Sequence, residues 1–409
     1  MRSIAVIGAG QAGLMVSLGL QRAGYHVTIV SERTAEEIKA GRVLSGQCLF
    51  DPALRQERKL GLHHWDDVAA RVVDFRFSMG GNESPDRQVS WSTRFDRPAT
   101  SVDQRLKMSR WLEEFVKRGG DLRIGRADID DMDRYAAQND LVLVATGRGE
   151  QFSALFRRDD AHSPYREPQR ALALIYVSVN GSSATSPPLQ LTFNAQPGVG
   201  ELYWLPIFSV NGPVHGLCLS GIPGGPLDCW QGVTDIEQQW ELTRELIRRY
   251  FAWEADVFAG AWPAGQSDSL IGRVTPTVRH AVGTLPSGRY VLAMGDAAIT
   301  NDPIAGQGAN NAAHCAVSYL DSILGHGGRR FDRAFMEGCY ARYWNYAKHS
   351  TRLSNDLLAP PADHVVETLT AAQSIPEVAH RFASMFSEPS EYGAWLADPG
   401  TARRYLQRL

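Results

Sequence analysis

The sequence is short of several things, and each shortage narrows its chemistry. Cysteine is sparse: Cys48, Cys218, Cys229, Cys315 and Cys339 are scattered with no C-x-x-C pair. An odd, dispersed set argues against a disulfide framework and for reduced thiols in the cytoplasm. No apolar run approaches the ~20 residues of a membrane-spanning helix. The start, MRSIAVIGAG, has neither the long apolar core nor the cleavage site of a signal peptide. A cytoplasmic protein without membrane insertion is expected. Net charge is only -3, which gives no strong pull on nucleic acid. His63 and His64 are adjacent and diverge on regular structure, so they read as a surface pair and not a zinc site. There is no G-x-S-x-G elbow and no H-E-x-x-H motif. Neither a side-chain nucleophile nor a metal is indicated. Internal repeats and low-complexity segments are missing too.

What is present reads as α/β at both ends of a β-rich middle. Residues 3–8, SIAVIG, form a buried-strand pattern. AGLMVSLGLQRAG follows with helical spacing, then HVTIVSE as a second strand. This is a β-α-β unit of about 30 residues, the opening of a doubly wound domain. RLKMSRWLEEFVKRGG is an amphipathic helix stopped by Gly-Gly, and DLVLVATG is a further buried strand. Residues 166–225 read mainly as an antiparallel sheet, with tight turns at Asn180-Gly181 and Asn211-Gly212. The helix after it is expected to start on a capping box of Thr234 and Glu237. Strand character returns near 289, and helices run from about 330 to the end. The expected division is a discontinuous domain of 1–72, 100–165 and 270–330, a second domain of 73–99 and 166–269, and a helical region of 331–409.

The segment GAGQAG places Gly8, Gly10 and Gly13 at G-x-G-x-x-G spacing, after a strand and before a helix. Glu32 ends the next strand. That context specifies a dinucleotide: one glycine for the turn, one for the pyrophosphate's approach, one for helix–strand packing. The helix N-terminus favours the phosphates, and Glu32 suits ribose hydroxyls. The fingerprint alone does not separate NAD from FAD. A second glycine-rich strand-loop-helix, GDAAITNDPIAGQGANNA at 295–312, favours FAD, a glycine-rich connection that serves packing alone being the competing reading. FAD needs one because its flavin end extends far from the pyrophosphate. Asp296 suits the ribityl chain, and the helix near Gly308 suits the N1–C2=O edge of the ring.

These motifs, with SER, GRVL and VDQRL at 102–106, resemble the FAD-dependent monooxygenases of the para-hydroxybenzoate hydroxylase fold. HSPYREPQRALAL at 162–174 and DPIAGQGAN narrow the resemblance to the styrene and indole monooxygenases, the oxygenase components of two-component systems. The resemblance implies an FAD-binding Rossmann-like domain of glutathione reductase type, an inserted antiparallel β-sheet substrate domain and C-terminal helices. It implies cofactor contacts at Gly8, Gly10, Gln11, Ala12, Gly13, Glu32, Arg33, Arg42, Arg105, Asp296, Pro303, Gly306, Gly308 and Asn310. Arg33, Arg42 and Arg105 have a competing reading as solvated surface charges, but Arg42 and Arg105 lie beside apolar residues, which suits a phosphate partner. The Asp-Gly motif with a downstream Arg found in single-component hydroxylases is missing: Asp140 is followed by Leu. That agrees with an NAD(P)H-dependent flavin reductase as a separate partner. A homodimer is the family expectation.

The implied chemistry is oxygen activation by reduced FAD (FADH2) with O2, through a flavin C4a-hydroperoxide attacked by an electron-rich C=C. The cofactor carries the reaction and no catalytic side chain is required. The family's styrene branch shows Asn-x-Val-x-His after the arginine segment, and its indole branch Ser-x-Gln-x-Met. Here the stretch is Ser45-Gly46-Gln47-Cys48-Leu49. Val72 and Ala99 also resemble the indole branch, while Leu49 and Phe75 depart from it. Trp204, Leu205, Pro206 and Phe208 as a far wall on the sheet, with Pro303, complete the expected pocket; ordinary core is the competing reading of the four sheet residues. Indole has one N–H where styrene has no hydrogen-bonding group, so Ser45 and Gln47 are candidate orienting acceptors; backbone partners are the alternative. The expectation is indole 2,3-epoxidation leading to indoxyl and indigo. A styrene-type epoxidase, a single-component aromatic hydroxylase and a non-catalytic flavin protein stay open. A flavin-dependent halogenase is disfavoured because W-x-W-x-I-P is absent, YWLPIF being the nearest fragment.

Overall fold

The computed structural model describes residues 2–81, 86–147, 152, 154–179 and 188–409. Strand β1 (Ser3–Ile7) leads through helix α1 (Gln11–Arg22) to β2 (His26–Ser31), then α2 (Ala35–Ala40) and α3 (Asp51–Lys59). The chain leaves this layer for β3 (Val72–Gly80) and β4 (Arg87–Ala99). It returns with α4 (Gln104–Lys117), β5 (Asp121–Ile124), α5 (Ile129–Gln138) and β6 (Leu141–Val144). A second excursion carries β7 (Ala171–Val179), β8 (Gln190–Gln196), β9 (Gly200–Ser209), β10 (Gly212–Gly221), α6 (Ile236–Tyr250), β11 (Ala261–Pro263) and β12 (Ser269–Arg273). The short strands β13 (Thr277–Val278), β14 (Val282–Thr284), β15 (Tyr290–Ala293) and β16 (Ile299–Thr300) follow. Helices α7 (Gln307–Gly325), α8 (Arg333–Leu357), α9 (Asp363–Ala371), α10 (Pro376–Ser387) and α11 (Pro399–Leu406) end the chain.

The first sheet has the order β14-β15-β6-β1-β2-β5 and is parallel from β15 to β5. Its central strands are apolar throughout, as both faces are covered: Ile4 to Ile7 and Leu141 to Val144 are all buried. The second sheet has the order β11-β7-β10-β9-β8-β3-β4, with β12 also on β7. Its hairpin strands are antiparallel, and Gly212 turns β9 into β10 at φ +87°. It is not wholly antiparallel, however: β3 lies parallel to β8. No hairpin joins those two strands, so nothing forces them to run in opposite directions. β12 runs to Arg273 in this sheet, past the expected boundary at 269.

Two local expectations are corrected or left aside. Helix α6 is capped by Asp235, whose carboxylate accepts from the Gln238 N–H at 2.8 Å, and not by Thr234. Asn180-Gly181 lies outside the described residues.

Alternation gives the second sheet two unlike faces. One carries Ile175, Leu202, Trp204, Leu217 and Leu219 and is sealed by α6 and the turn at 252–258. The other carries Phe75, Phe77, Phe193, Tyr203 and Leu205. Helix α10 roofs part of it: the Phe386 ring lies 5.2 Å from that of Phe75, and Phe382 lies 5.5 Å from Trp91. Among the described residues, no helix is long and apolar enough to cross a membrane.

Candidate functional site

The two glycine loops, almost 290 residues apart in sequence, meet in space. Helices α1 and α7 pack closely enough that a Cβ on Gly19 would lie 2.4 Å from a Leu320 methyl, and one on Gly295 would lie 3.1 Å from the Ala12 Cβ. The Gln11 amide donates to the Ala309 carbonyl at 3.1 Å, tying the first turn of α1 to that of α7. Each loop shows why glycine is needed. Gly8 has φ +114°, and a Cβ there would sit 2.3 Å from the Ala145 oxygen. A Cβ on Gly13 would meet the Gly8 oxygen at 2.3 Å, so its absence lets helix and strand close.

Both helices offer bare N-termini. Gly10 caps α1 and Gly306, at φ +62°, caps α7; neither gives a side-chain cap, and neither first turn holds an acid. Unsatisfied N–H groups and about half a positive charge at each end suit anionic or electron-rich groups. A Cβ on Gly306 or Gly308 would meet nothing within 4 Å, so the space before α7 is open. Pro303 is exposed at the start of the turn Pro303–Ala305, which Asp302 caps through the Ile304 N–H at 3.0 Å. The half-buried Asp296 accepts on its backbone oxygen from Thr300 Oγ1 at 2.8 Å. Glu32 is the residue after β2, not its last, exposed and 3.7 Å from Arg126. A cradle that only glycine permits and paired uncapped helix ends fit an extended dinucleotide such as FAD.

The expected arginines divide. Arg33 and Arg42 are exposed. Arg105 differs from the expected phosphate contact: its guanidinium is buried between Asp103 and Asp268, with Nε 3.0 Å from Asp103 Oδ2 and Nη1 donating to the Gly41 oxygen at 3.2 Å. Those carboxylates hold its proton even more firmly than usual, against the cost of burial. It locks the 41–49 strap to α4 and the 267–268 segment. Asn310 is likewise committed internally. Its Nδ2 donates to the Cys48 and Gly306 oxygens, at 2.9 and 2.8 Å, and its Oδ1 accepts from the Phe50 N–H at 3.0 Å. It ties the strap to α7.

The strap carries the pocket candidates. Ser45 Oγ donates to the Gly46 oxygen at 3.0 Å, so its proton is spent locally. Gln47 is buried, and its Nε2 donates to the Val102 carbonyl. Its Oε1 is buried with no partner. Since Nε2 faces a carbonyl, the amide cannot turn over without opposing two oxygens. Val72, Phe75 and Ala99 fall in one apolar cluster with Cys48, Ile304 and Ala305, beside the Pro303 turn. Leu49 does not; it is sealed in the core under the first sheet and pairs with Thr100. Trp204 is a correction. It faces away, packed on Phe258 at 5.3 Å, with Nε1 donating to Glu254 at 2.9 Å.

Its strand neighbours take the place expected of it. Tyr203 on β9 and Cys218, opposite it on β10, lie on the face that Trp204 leaves and are only partly buried. Leu205, also partly open, links this strip to the apolar clusters on both sides. Burial, then the nearby Asp302 carboxylate, pushes the Cys218 thiol up to about 12, and burial pushes Cys48 up to about 12. Both stay protonated and are poor nucleophiles. Tyr203 stays neutral well above its ordinary range, its hydroxyl donating to Glu201 at 3.3 Å. Arg170 pins Glu201 with bonds of 2.8 and 2.9 Å and donates to the Leu358 oxygen at 3.2 Å, joining sheet to α8. Tyr203 and Cys218 were not singled out from sequence; strict alternation from Trp204 was the available signal.

Residues 147–256 match the family model described as "Styrene monooxygenase A putative substrate binding domain". The chain is 27% identical to styrene monooxygenase StyA of Pseudomonas fluorescens over 95% of its own length and 93% of the relative's. A StyA from a Pseudomonas sp. is 26% identical over the same shares. Among solved structures, p-nitrophenol 4-monooxygenase PnpA of Pseudomonas putida DLL-E4 superposes with TM-score 0.66 at 15% identity, covering 95% of this chain and 99% of that one. The flavin-dependent halogenase CmlS gives TM-score 0.65 at 19% identity, covering 100% and 78%. A flavoprotein/dehydrogenase of Cytophaga hutchinsonii gives 0.68 at 14%, covering 94% and 92%. These structures share the fold: an FAD-binding Rossmann-like domain joined to a second, sheet-based domain.

Proposed function

We propose that this chain, a relative of the styrene monooxygenases along nearly its whole length, is a flavin-dependent monooxygenase that takes reduced FAD from a separate reductase and epoxidises the C2=C3 bond of indole. The bound cofactor would supply two electrons to O2, so that one oxygen atom enters the alkene and the other leaves as water. The chain's own residues do the rest. The N-termini of α1 and α7 hold the phosphates and the flavin-ring edge. The first sheet and its helices hold the cofactor; the second sheet, roofed by α10, holds the substrate. The apolar wall of Val72, Phe75, Ala99 and Ile304 excludes water from the reacting carbon atoms.

The observation that carries the indole reading is Gln47. Its Oε1 is a buried acceptor whose orientation is fixed by the Nε2 bond to Val102. On this reading the strap yields enough on binding for a ring N–H to reach that oxygen, a gain of about 1–3 kcal/mol that styrene has no donor to make. Styrene epoxidation is the second reading, favoured by the names of the relatives and the apolar wall. The test of the two-component assignment is direct. With FAD, NADH and a flavin reductase, indole turns blue; with the reductase omitted, NADH is not consumed. Rapid NADH oxidation by the isolated protein overturns it.

A further inference from the structure

One row of side chains crosses the open face of the second sheet. The strand registers set Phe77, Phe193, Tyr203, Cys218 and Leu174 side by side, on β3, β8, β9, β10 and β7. The first three are aromatic and touch in turn. The Phe77 and Phe193 rings lie 5.7 Å apart, and Phe193 meets Tyr203 edge to face at 5.0 Å. Phe77 and Phe193 are buried, and so is Leu174 at the far end. The two residues between them, Tyr203 and Cys218, are partly open.

The row is covered from both ends. On one side, the α10 ring of Phe382 lies 5.9 Å from Phe77, and that of Phe386 lies 6.3 Å from Phe193. On the other, the strap lies over Leu174: a Cβ on Gly46 would sit 3.2 Å from the Leu174 Cδ1. The two covers belong to separate apolar clusters, one holding Phe193 and Phe386, the other Val43 and Leu174. Between them the row is carried by Cys218, whose side chain is no longer than a thiol. The turn with Pro303 stands beside it, near enough for the Asp302 carboxylate to act on both Tyr203 and Cys218.

Tyr203 is held rigidly. Its hydroxyl donates to Glu201 at 3.3 Å, and Arg170 ties that carboxylate to the Leu358 carbonyl beside α8. With the hydroxyl turned to a buried acid, the ring is the part left to the open strip. Phe193 occupies one side of it, and Cys218 leaves the other side clear. A fixed aromatic surface of this kind favours a further ring in edge-on or offset contact. We propose that Tyr203 is a specificity-determining residue, the platform against which an aromatic substrate lies, so that the substrate ring continues the row Phe77–Phe193–Tyr203 above Cys218. This rests on the monooxygenase reading above and deepens it. Tyr203 selects aromatic over saturated substrates, whether or not the ring carries an N–H.

The test measures dissociation constants on the protein loaded with oxidised FAD, for two probes of equal carbon count, toluene and methylcyclohexane. Neither probe can hydrogen-bond, so the outcome is independent of the choice between indole and styrene. Tyr203→Leu, which keeps apolar bulk and removes the ring, should cut the preference for toluene over methylcyclohexane about fivefold, the scale of one aromatic pair. Tyr203→Phe should keep that preference. Cys218→Leu, which fills the place beside the ring, should weaken both probes about tenfold and leave FAD affinity unchanged. Equal weakening of the two probes by Tyr203→Leu, or an unaltered ratio, overturns the proposal. So does a Tyr203→Phe protein that loses the preference as Tyr203→Leu does, since the hydroxyl and not the ring would then be responsible. Probes that bind Cys218→Leu as tightly as the unaltered protein place the ligand elsewhere and overturn it too. Should the unaltered protein bind FAD but neither probe, the substrate reading of the second sheet fails and this proposal with it; should it bind no FAD, the flavoprotein reading itself fails.

Discussion

The two faces of the second sheet are built from alternate residues of the same strands and are put to different use. On one, Trp204, Leu202 and Leu217 are fully sealed, and the buried Glu254 carboxylate accepts from both Arg76 and Trp204 Nε1. On the other, α10 covers only part of the sheet, and Tyr203, Leu205 and Cys218 keep open surface beside the flavin-ring loop. A single residue step along β9 separates a sealed face from a partly open one; on the proposed function the open strip is the one that meets substrate.

Substitutions should separate the faces in size and in kind. The largest effect is expected from Trp204→Ala, which empties a sealed site and leaves Glu254 short of a donor: a loss of about 3–5 kcal/mol of stability in denaturant melts. If Trp204→Ala proves neutral for stability and costly for turnover, the assignment of the faces is reversed. Next comes acid. His215, packed between Trp204 and Phe258, is held down to about 4 by burial, against 6.5 when free. Between those values the unfolded chain takes up a proton that the folded one refuses, so stability falls as pH drops from 6.5 towards 4. The loss is up to about 3 kcal/mol from this residue. His215→Leu should flatten that part of the pH–stability curve, and an unchanged slope would contradict the assignment. His314, also held down to about 4 by burial, should keep its own share. The smallest stability effect belongs to the open strip. Leu205→Trp should shift stability by under about 1 kcal/mol and leave FAD affinity unchanged, while blocking turnover of every aromatic substrate. A destabilisation as large as that of Trp204→Ala would mean that no cavity exists there.

The sequence was most readable where one residue type has one physical reason. Gly8 and Gly13 could be assigned from spacing because backbone approaches of 2.3 Å admit nothing else. The second loop was legible as a partner of the first, since FAD must be held at both ends. Trp204 was misread because β9 has large apolar side chains on both faces, Leu202 and Trp204 on one, Tyr203 and Leu205 on the other. Polarity does not alternate there, so the inward face is not marked. The internal ties of Arg105 and Asn310 were not legible, because their protein partners, Asp268 and the Cys48–Phe50 backbone, are far away in sequence. The roof over the pocket was hidden for the same reason. Phe386 meets Phe75 only through the tertiary fold.

One measurement bears most directly on the proposed activity: competition between equal concentrations of indole and styrene for the protein under supplied reduced FAD. The ratio of oxidation products should favour indole, and Gln47→Leu should reduce that preference about tenfold, as expected when a buried acceptor no longer demands a donor. Preferential formation of styrene oxide by the unaltered protein, or a ratio that Gln47→Leu leaves untouched, would contradict the account.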